Sequence, residues 1–249
     1  HGLLKGRTVG VDATTLEANA AMKSIVRKES GDDWNAYLRE LAAAEGGEIE
    51  DDDLRRFDRK RSREGRKRVS NNDWESPGDP DSRIIRMKDG RTRLGYKQEQ
   101  VVDLETEAVL SVTVHHGTDA DTQTMCDSVL TAQGHLHAAG LEAEIEEVAA
   151  DKGYHSAENL ASAREWGFRT YIPEPERGRR RWTGRPDEQE HAVALNRQRM
   201  SRAKGRRLQK TRSERVERSF AHECDTGGGR RLWLRGLETI NKTRLMTSA

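Results

Sequence analysis

Cysteine is scarce in this chain. There are two in 249 residues, Cys126 and Cys224, far apart and in no CxxC pair. That spacing excludes a disulfide framework and a structural zinc site, and it suits a reducing cytoplasm. Apolar residues are also few, at 33%. No stretch approaches the roughly 18–20 consecutive apolar residues of a membrane span, so no integral membrane protein is expected. No secretory signal is expected within this stretch, because its first apolar run, Leu3-Leu4, is far too short. The chain opens on His1 rather than Met, as an internal piece of a longer protein would. A third of the residues still suffices for one core of roughly 120–170 residues with large solvated segments. Repeats with a period of about 20–50 residues are absent, which excludes solenoids.

Net charge is nearly absent too: 44 Lys and Arg oppose 43 Asp and Glu, leaving +1. The balance hides strong blocks. Residues 29–53 carry ten acids and one base, residues 55–68 nine bases and two acids, and residues 176–218 fifteen bases and six acids. The first two blocks read as solvated segments that repel and bridge one another. The third reads as a surface for phosphates. There Trp182 adjoins Arg179, Arg180 and Arg181, an aromatic among cations of the kind that suits single-stranded or distorted nucleic acid.

Arg7–Asp12 reads as a short strand ending on a carboxylate, and residues 17–28 as a loosely apolar helix. Residues 17–82 form a charged helical and loop insertion closed by the turn-rich run Ser76–Ser82. Arg83–Met87, Thr92–Asp103 and Val109–His115 then make an antiparallel meander, the last alternating apolar with polar at the strand period. Asp121 caps a helix toward Leu136. Glu146–Asp151 is a short buried strand, again ending on an aspartate. Ser156 caps a helix that Gly167 ends, and Phe168–Ile172 is a last strand stopped by Pro173. From Glu188 the pattern is helical with basic surfaces, until Gly227-Gly228-Gly229. The order β, insertion, β-β, α, β, α, β, α predicts an α/β fold with a mixed sheet.

Two strands ending in Asp12 and Asp151, plus a late helix with Glu214 and Glu217, suggest a carboxylate metal site beyond the strand ends. Hard divalent cations take oxygen ligands and leave positions for water and phosphate. Two such ions about 3.5–4 Å apart activate a nucleophilic oxygen and stabilise the leaving oxygen of a phosphodiester. Helix periodicity separates the two glutamates, at about 100° per residue. Val216 and Phe220 define a buried stripe. Glu217 lies roughly 80° from its midpoint, at the border of core and solvent, and Glu214 roughly 140° away on the outer face.

Three segments carry a family resemblance: Val11-Asp12-Ala13-Thr14-Thr15, Ala150-Asp151-Lys152-Gly153-Tyr154-His155-Ser156, and Val216-Glu217-Arg218-Ser219-Phe220. They resemble the three motifs of DDE transposases of bacterial insertion sequences. Glu17–Ala20, Asp79–Arg83, Met87–Thr92 and the glycine-arginine stretch Thr226–Arg231 extend the likeness over nearly the whole chain. It is closest to the IS1182-like branch of the IS4/IS5-type group.

The resemblance implies an RNase H-like catalytic core over residues 1–249, with a basic helical part at 176–249 that carries the glutamate. The activity implied is strand cleavage at transposon ends, followed by strand transfer to target DNA. Carried over, Asp12 bridges two Mg²⁺ ions, for which Mn²⁺ can substitute, while Asp151 binds one and Glu217 the other. Lys152 and His155, close to Asp151 in sequence, are candidates to touch phosphate, an ordinary surface lysine being the other reading of Lys152. The partners implied are transposon-end and target DNA, with a homodimer on DNA, no membrane, and a cytoplasmic location at the bacterial nucleoid. The family often places Arg four residues before its last acid and Lys seven after it. Here those positions hold Ser213 and Cys224, and Arg212, Arg215 and Arg218 stand nearby as replacement cations. The N-terminal helical region that binds transposon ends is expected to lie outside this stretch.

The remaining motifs read more plainly. His115-His116 and His135-Leu136-His137 lack the closed four-ligand pattern of zinc and read as strand-end and helix-surface residues. Gly227-Gly228-Gly229 before Arg230-Arg231 lacks the Lys-Ser/Thr of a P-loop and reads as a helix-linking loop. Two functional classes stay open, a metal-dependent transposase and a non-catalytic DNA-binding remnant on the same fold, with a nuclease or resolvase on that fold as a third option.

Overall fold

The computed structural model describes residues 4–47, 49–65, 70–176, 181–226 and 228–248. Its centre is a mixed sheet of six strands: β1 (Thr8–Glu17), β4 (Arg83–Arg86), β5 (Thr92–Asp103), β6 (Val109–His116), β7 (Glu147–Ala150) and β8 (Arg169–Tyr171). β1 lies between β5, antiparallel to it, and β7, parallel to it; β8 continues the parallel side. Along its other edge β5 pairs with β4 at its start and with β6 over the remainder. Two further strands, β2 (Val26–Arg27) and β3 (Trp74–Glu75), pair apart from this sheet. The seven α-helices among the described residues are α1 (Trp34–Ala44), α2 (Leu54–Arg63), α3 (Asp121–Ala138), α4 (Ala157–Glu165), α5 (Asp187–Ser201), α6 (Ala203–Ala221) and α7 (Leu237–Ser248). A mixed sheet flanked by helices is what the pattern predicted, and it accords with an RNase H-like domain.

Side-chain alternation along β1 sorts the two faces. Val9 and Val11 enter a core with Met125 and Val129 of α3 and Leu160 of α4, and Val148 and Ala150 of β7 join them. Gly10 faces the other way, and a Cβ there would meet Val216 Cγ2 at 2.9 Å and Leu104 Cδ2 at 2.8 Å. That close approach seats α6 on the opposite face, where Val102, Leu104, Ala149, Tyr171, Leu208 and Val216 form a second core. A third core, with Leu16, Tyr37, Leu38, Leu54, Trp74 and Tyr96, lies toward the far end of β1.

Three local expectations are corrected. β1 does not stop at Asp12 but runs five residues further, because β5 keeps pairing with it to Glu17. Residues 17–28 form no α-helix: they end β1, make a 3-10 turn at Met22–Ser24 and enter β2. Asp121 is the first residue of α3 rather than its cap, which is Ala120, and the Asp121 carboxylate instead accepts Lys97 Nζ at 3.2 Å. The basic helical region is two helices, α5 and α6, broken at Arg202, whose extended ψ of 159° ends the helical run. By contrast Ser156 caps α4 through the Asn159 amide at 2.9 Å, and Gly167 follows the helix at φ +85°.

Candidate active site

The parallel pairing of β1 with β7 ends at Val11 opposite Ala150. One step further along the same register stand Asp12 and Asp151. Neighbouring strands lie about 4.8 Å apart, so the two carboxylates leave adjacent backbone positions. By alternation both belong to the α6 face, with Gly10 and Ala149. Each is held. Asp12 accepts the Ala13 amide on Oδ1 at 2.8 Å and Arg212 Nη1 on Oδ2 at 2.8 Å. Asp151 caps a 3-10 turn by accepting the Gly153 amide on Oδ1 at 2.7 Å.

Electrostatics mark the pair. Burial pushes the Asp12 carboxyl above the ordinary carboxylate range, and the nearby charge of Asp151 adds to the rise. The Arg212 guanidinium is the strongest influence in the opposite direction. The site therefore disfavours the ionised form of Asp12 unless a cation stands close by.

The turn after Asp151 is anchored from the opposite side of the sheet. Tyr154 is fully buried and donates its hydroxyl to Glu99 Oε1 at 2.8 Å, and Asn159 Nδ2 donates to the Tyr154 carbonyl at 2.8 Å. Burial is the main reason that Glu99 is pushed up and Tyr154 well above its usual value. A Cβ on Gly153 would press on Asp151 Oδ1 at 2.9 Å and on Asp121 Oδ2 at 3.0 Å, so glycine lets the turn close between two acids. Sequence reasoning placed Asp121 only as a helix cap, not beside Asp151.

Glu217 projects from α6, which Gln209 ties to the end of β7 by donating to the Ala150 carbonyl at 3.0 Å. Its Oε1 accepts Ser213 Oγ at 2.9 Å. Glu217 and Asp12 line one open cavity of about 400 Å³, together with Thr14, Lys88, Arg93 and Arg230. Asp151 does not line it, and Glu214 turns outward toward Lys210. The donors at Asp12 and Asp151 are oxygen-only, negative and adjacent, which fits a hard divalent cation. Glu217 faces Asp12 across the cavity without being gathered to the pair. Among the described residues no group of three His, Cys, Asp or Glu side chains is close enough to hold a metal ion.

The cations expected to meet DNA divide. Lys152 and Arg181 are exposed. Arg218 is half exposed and pairs with Glu107 at 2.6 Å; Arg215 lies 3.6 Å from the same glutamate and donates to the Leu104 carbonyl. Arg212 is only 8% exposed and His155 only 2%, so neither offers itself at the surface. Arg212 is buried because it packs beside Gly10 and reaches Asp12; His155 is buried behind the Asp151 turn. Arg179 and Arg180 lie outside the described residues.

One polar cluster escaped the sequence reading. Glu223, just beyond α6, accepts Gln98 Nε2 and Gln100 Nε2 at 2.6 Å each and pairs with Arg244 of α7 at 2.7 Å. Gln100 sits opposite Asp12 in the β1–β5 register. The cluster therefore pins the end of α6 and the start of the following segment beside the cavity. The glutamines at alternate positions of β5 were its only sequence signal.

The mixed sheet thus sets two aspartates side by side under an acid-bearing helix. Residues 11–247 match the transposase DDE domain family, and the chain belongs to that family. No curated protein and no solved structure matches it.

Proposed function

We propose that this chain is the catalytic domain of an insertion-sequence transposase of the IS1182-like branch, which cuts DNA at transposon ends and joins them to a target. Asp12, Asp151 and Glu217 are its catalytic acids. The observation that carries this reading is the register of β1 and β7, which sets Asp12 beside Asp151 although they are far apart in sequence.

Cleavage is hydrolysis: a water oxygen bonds to phosphorus and the strand's 3′ oxygen leaves, taking a proton. Transfer repeats the displacement with that 3′-hydroxyl on a target phosphodiester, so one ester bond forms as another breaks. Two bound divalent ions, Mg²⁺ or Mn²⁺, would supply charge stabilisation for both oxygens. Asp12 and Asp151 would hold them, with Glu217 completing the set from α6. The other residues position these acids. Arg212 and the Ala13 amide fix both oxygens of Asp12, the Gly153 amide fixes Asp151, and Ser213 fixes Glu217. Lys152, Arg181, Arg215 and Arg218 supply positive charge for the DNA backbone. A homodimer would bring two transposon ends together.

Asp12→Asn tests this on the full-length protein with DNA that carries the transposon ends. The amide keeps the shape of the carboxylate and loses its charge, so divalent-dependent cleavage should fall by at least about 10³-fold while DNA affinity stays within about twofold. Equal cleavage by the variant and the parent rules the assignment out.

A further inference from the structure

Beyond Glu223 the chain returns to the sheet as a strap. Residues 230–235 read Arg-Arg-Leu-Trp-Leu-Arg. Their backbone is fastened to the end of β1 and the loop after it. Glu17 N donates to the Arg230 carbonyl at 2.9 Å, and Leu232 N to the Glu17 carbonyl at 2.8 Å. Asn19 Nδ2 then donates to the Trp233 carbonyl at 2.8 Å, and Arg235 Nε to the Asn19 carbonyl at 2.9 Å. Leu232 is buried in the core at the far end of β1, while Arg231 and Trp233 on either side of it are exposed. Trp233 is 79% exposed. Its backbone is rigidly held, yet its indole is offered to solvent.

The surroundings decide what it is offered to. The cavity holding Asp12 and Glu217 is also lined by Lys88, Arg93 and Arg230, and by Glu17 and Asp89, which both pair with Arg93. A second cavity shares Glu17 and Arg93 with the first and continues past Arg91 to Arg231 and Arg235. The two adjoin along Glu17 and Arg93 as one trough, which the strap borders through Arg231 and Arg235; Trp233, between these arginines in the chain, lines an adjoining cavity with Arg231, Leu232, Leu234 and Ile240. Six bases, Lys88, Arg91, Arg93, Arg230, Arg231 and Arg235, line the two cavities against four acids, and a groove of net positive charge beside an exposed aromatic suits single-stranded nucleic acid.

We propose that this trough seats one DNA strand leading away from the candidate active site, and that Trp233 stacks on an unpaired base of that strand. The inference rests on the transposase reading for the identity of the ligand. It places strand guidance on the strap and the β4–β5 turn, apart from the basic block at 176–218. From Asp12 to Glu17 is about 17 Å at about 3.3 Å per strand residue. The strap meets β1 at Glu17, so the stacked base should lie within a few nucleotides of the cleaved phosphate.

Fluorescence anisotropy tests it, using the full-length protein and three labelled DNAs: a flush-ended transposon-end duplex, the same duplex with its terminal six nucleotides unpaired, and the single strand. The parent should prefer the unpaired end over the flush end by roughly tenfold. Trp233→Ala should erase that preference while leaving flush-duplex affinity within about twofold, and Trp233→Phe should restore most of it. Arg231→Gln should lower the salt slope on the single strand by about 0.7. Equal losses on all three DNAs, or a preference untouched by Trp233→Ala, overturn the proposal. So does a change of sedimentation on Trp233→Ala, which would assign the indole to a protein interface. Failure to bind any DNA overturns the transposase reading as well. A fork preference that depends on Trp233, combined with unimpaired cleavage by Asp12→Asn, sinks only the catalytic assignment.

Discussion

Removing Arg212 should expose how the fold tolerates Asp12. Its guanidinium lies 2.8 Å from Asp12 Oδ2, with the two side chains 10% and 22% exposed. Breaking a fully buried ion pair from one side costs about 3–5 kcal/mol, because the remaining charge is left bare. Asp12 keeps its bond from the Ala13 amide and some access to water, so Arg212→Gln should cost about 2–3 kcal/mol. For a domain of this size that lowers Tm by about 5–10 °C. The loss should depend on pH in one direction. Burial raises the Asp12 pKa in the fold, so its ionised form weakens the folded state as pH rises through its titration range. Without the Arg212 charge that weakening is larger. The deficit of the variant should therefore be near zero where Asp12 is protonated, grow as pH rises, and level off toward neutrality. Urea unfolding at several pH values measures it. The double variant Asp12→Asn/Arg212→Gln should regain at least about 1 kcal/mol at pH 7, since no bare carboxylate remains. A deficit independent of pH, or a double variant less stable than the single, refutes the reasoning.

Gly10→Ala should cost about 1–3 kcal/mol and reduce activity with it, because its Cβ would push α6 and Glu217 off the sheet; denaturant melts and cleavage assays together check this. Burial pushes the Cys126 thiol up to about 11, so about one thiol in a thousand is ionised at pH 8. Its alkylation, followed by mass spectrometry, should stay slow until the chain unfolds, and rapid labelling in the native state would contradict that burial. Neutralising Arg179, Arg180 and Arg181 together should weaken binding to all DNA sequences. The salt slope should fall by up to about 0.9 for each DNA phosphate that these side chains no longer neutralise. An unchanged slope would mean that these arginines do not meet phosphate.

Much of the architecture was legible where local chemistry and tertiary structure agree. β5 and β6 were readable from alternation and turn residues, and α4 from Ser156 and Gly167, because the signals there are short-range. β1 was misjudged past Asp12. Thr14 to Ala20 has no decisive periodicity, and what extends the strand is pairing with β5 on one side and the strap on the other. Arg212 read as a surface cation because arginines usually are. Only Asp12, two hundred residues away, and the missing side chain at Gly10 account for its burial. The Glu223–Arg244 pair is hidden for the same reason, its partners coming from β5 and α7. Asp151 could be picked out from its place at a strand end and Glu217 from a helix border, whereas Asp12 lies within β1, not at its end, and the residues that hold the acids could not be read.

The central claim is that α6 presents Glu217, and not its neighbour one turn earlier, to the site of Asp12 and Asp151. The most direct test compares Glu217→Gln with Glu214→Gln in divalent-dependent cleavage of transposon-end DNA, at matched stability and DNA affinity. Glu217 lines the cavity with Asp12, while Glu214 faces Lys210 and solvent. Glu217→Gln should lower cleavage by at least about 10²-fold, and Glu214→Gln should leave it within about twofold. The reverse ranking, or equal small effects, would move the site off this face of α6 and contradict the account.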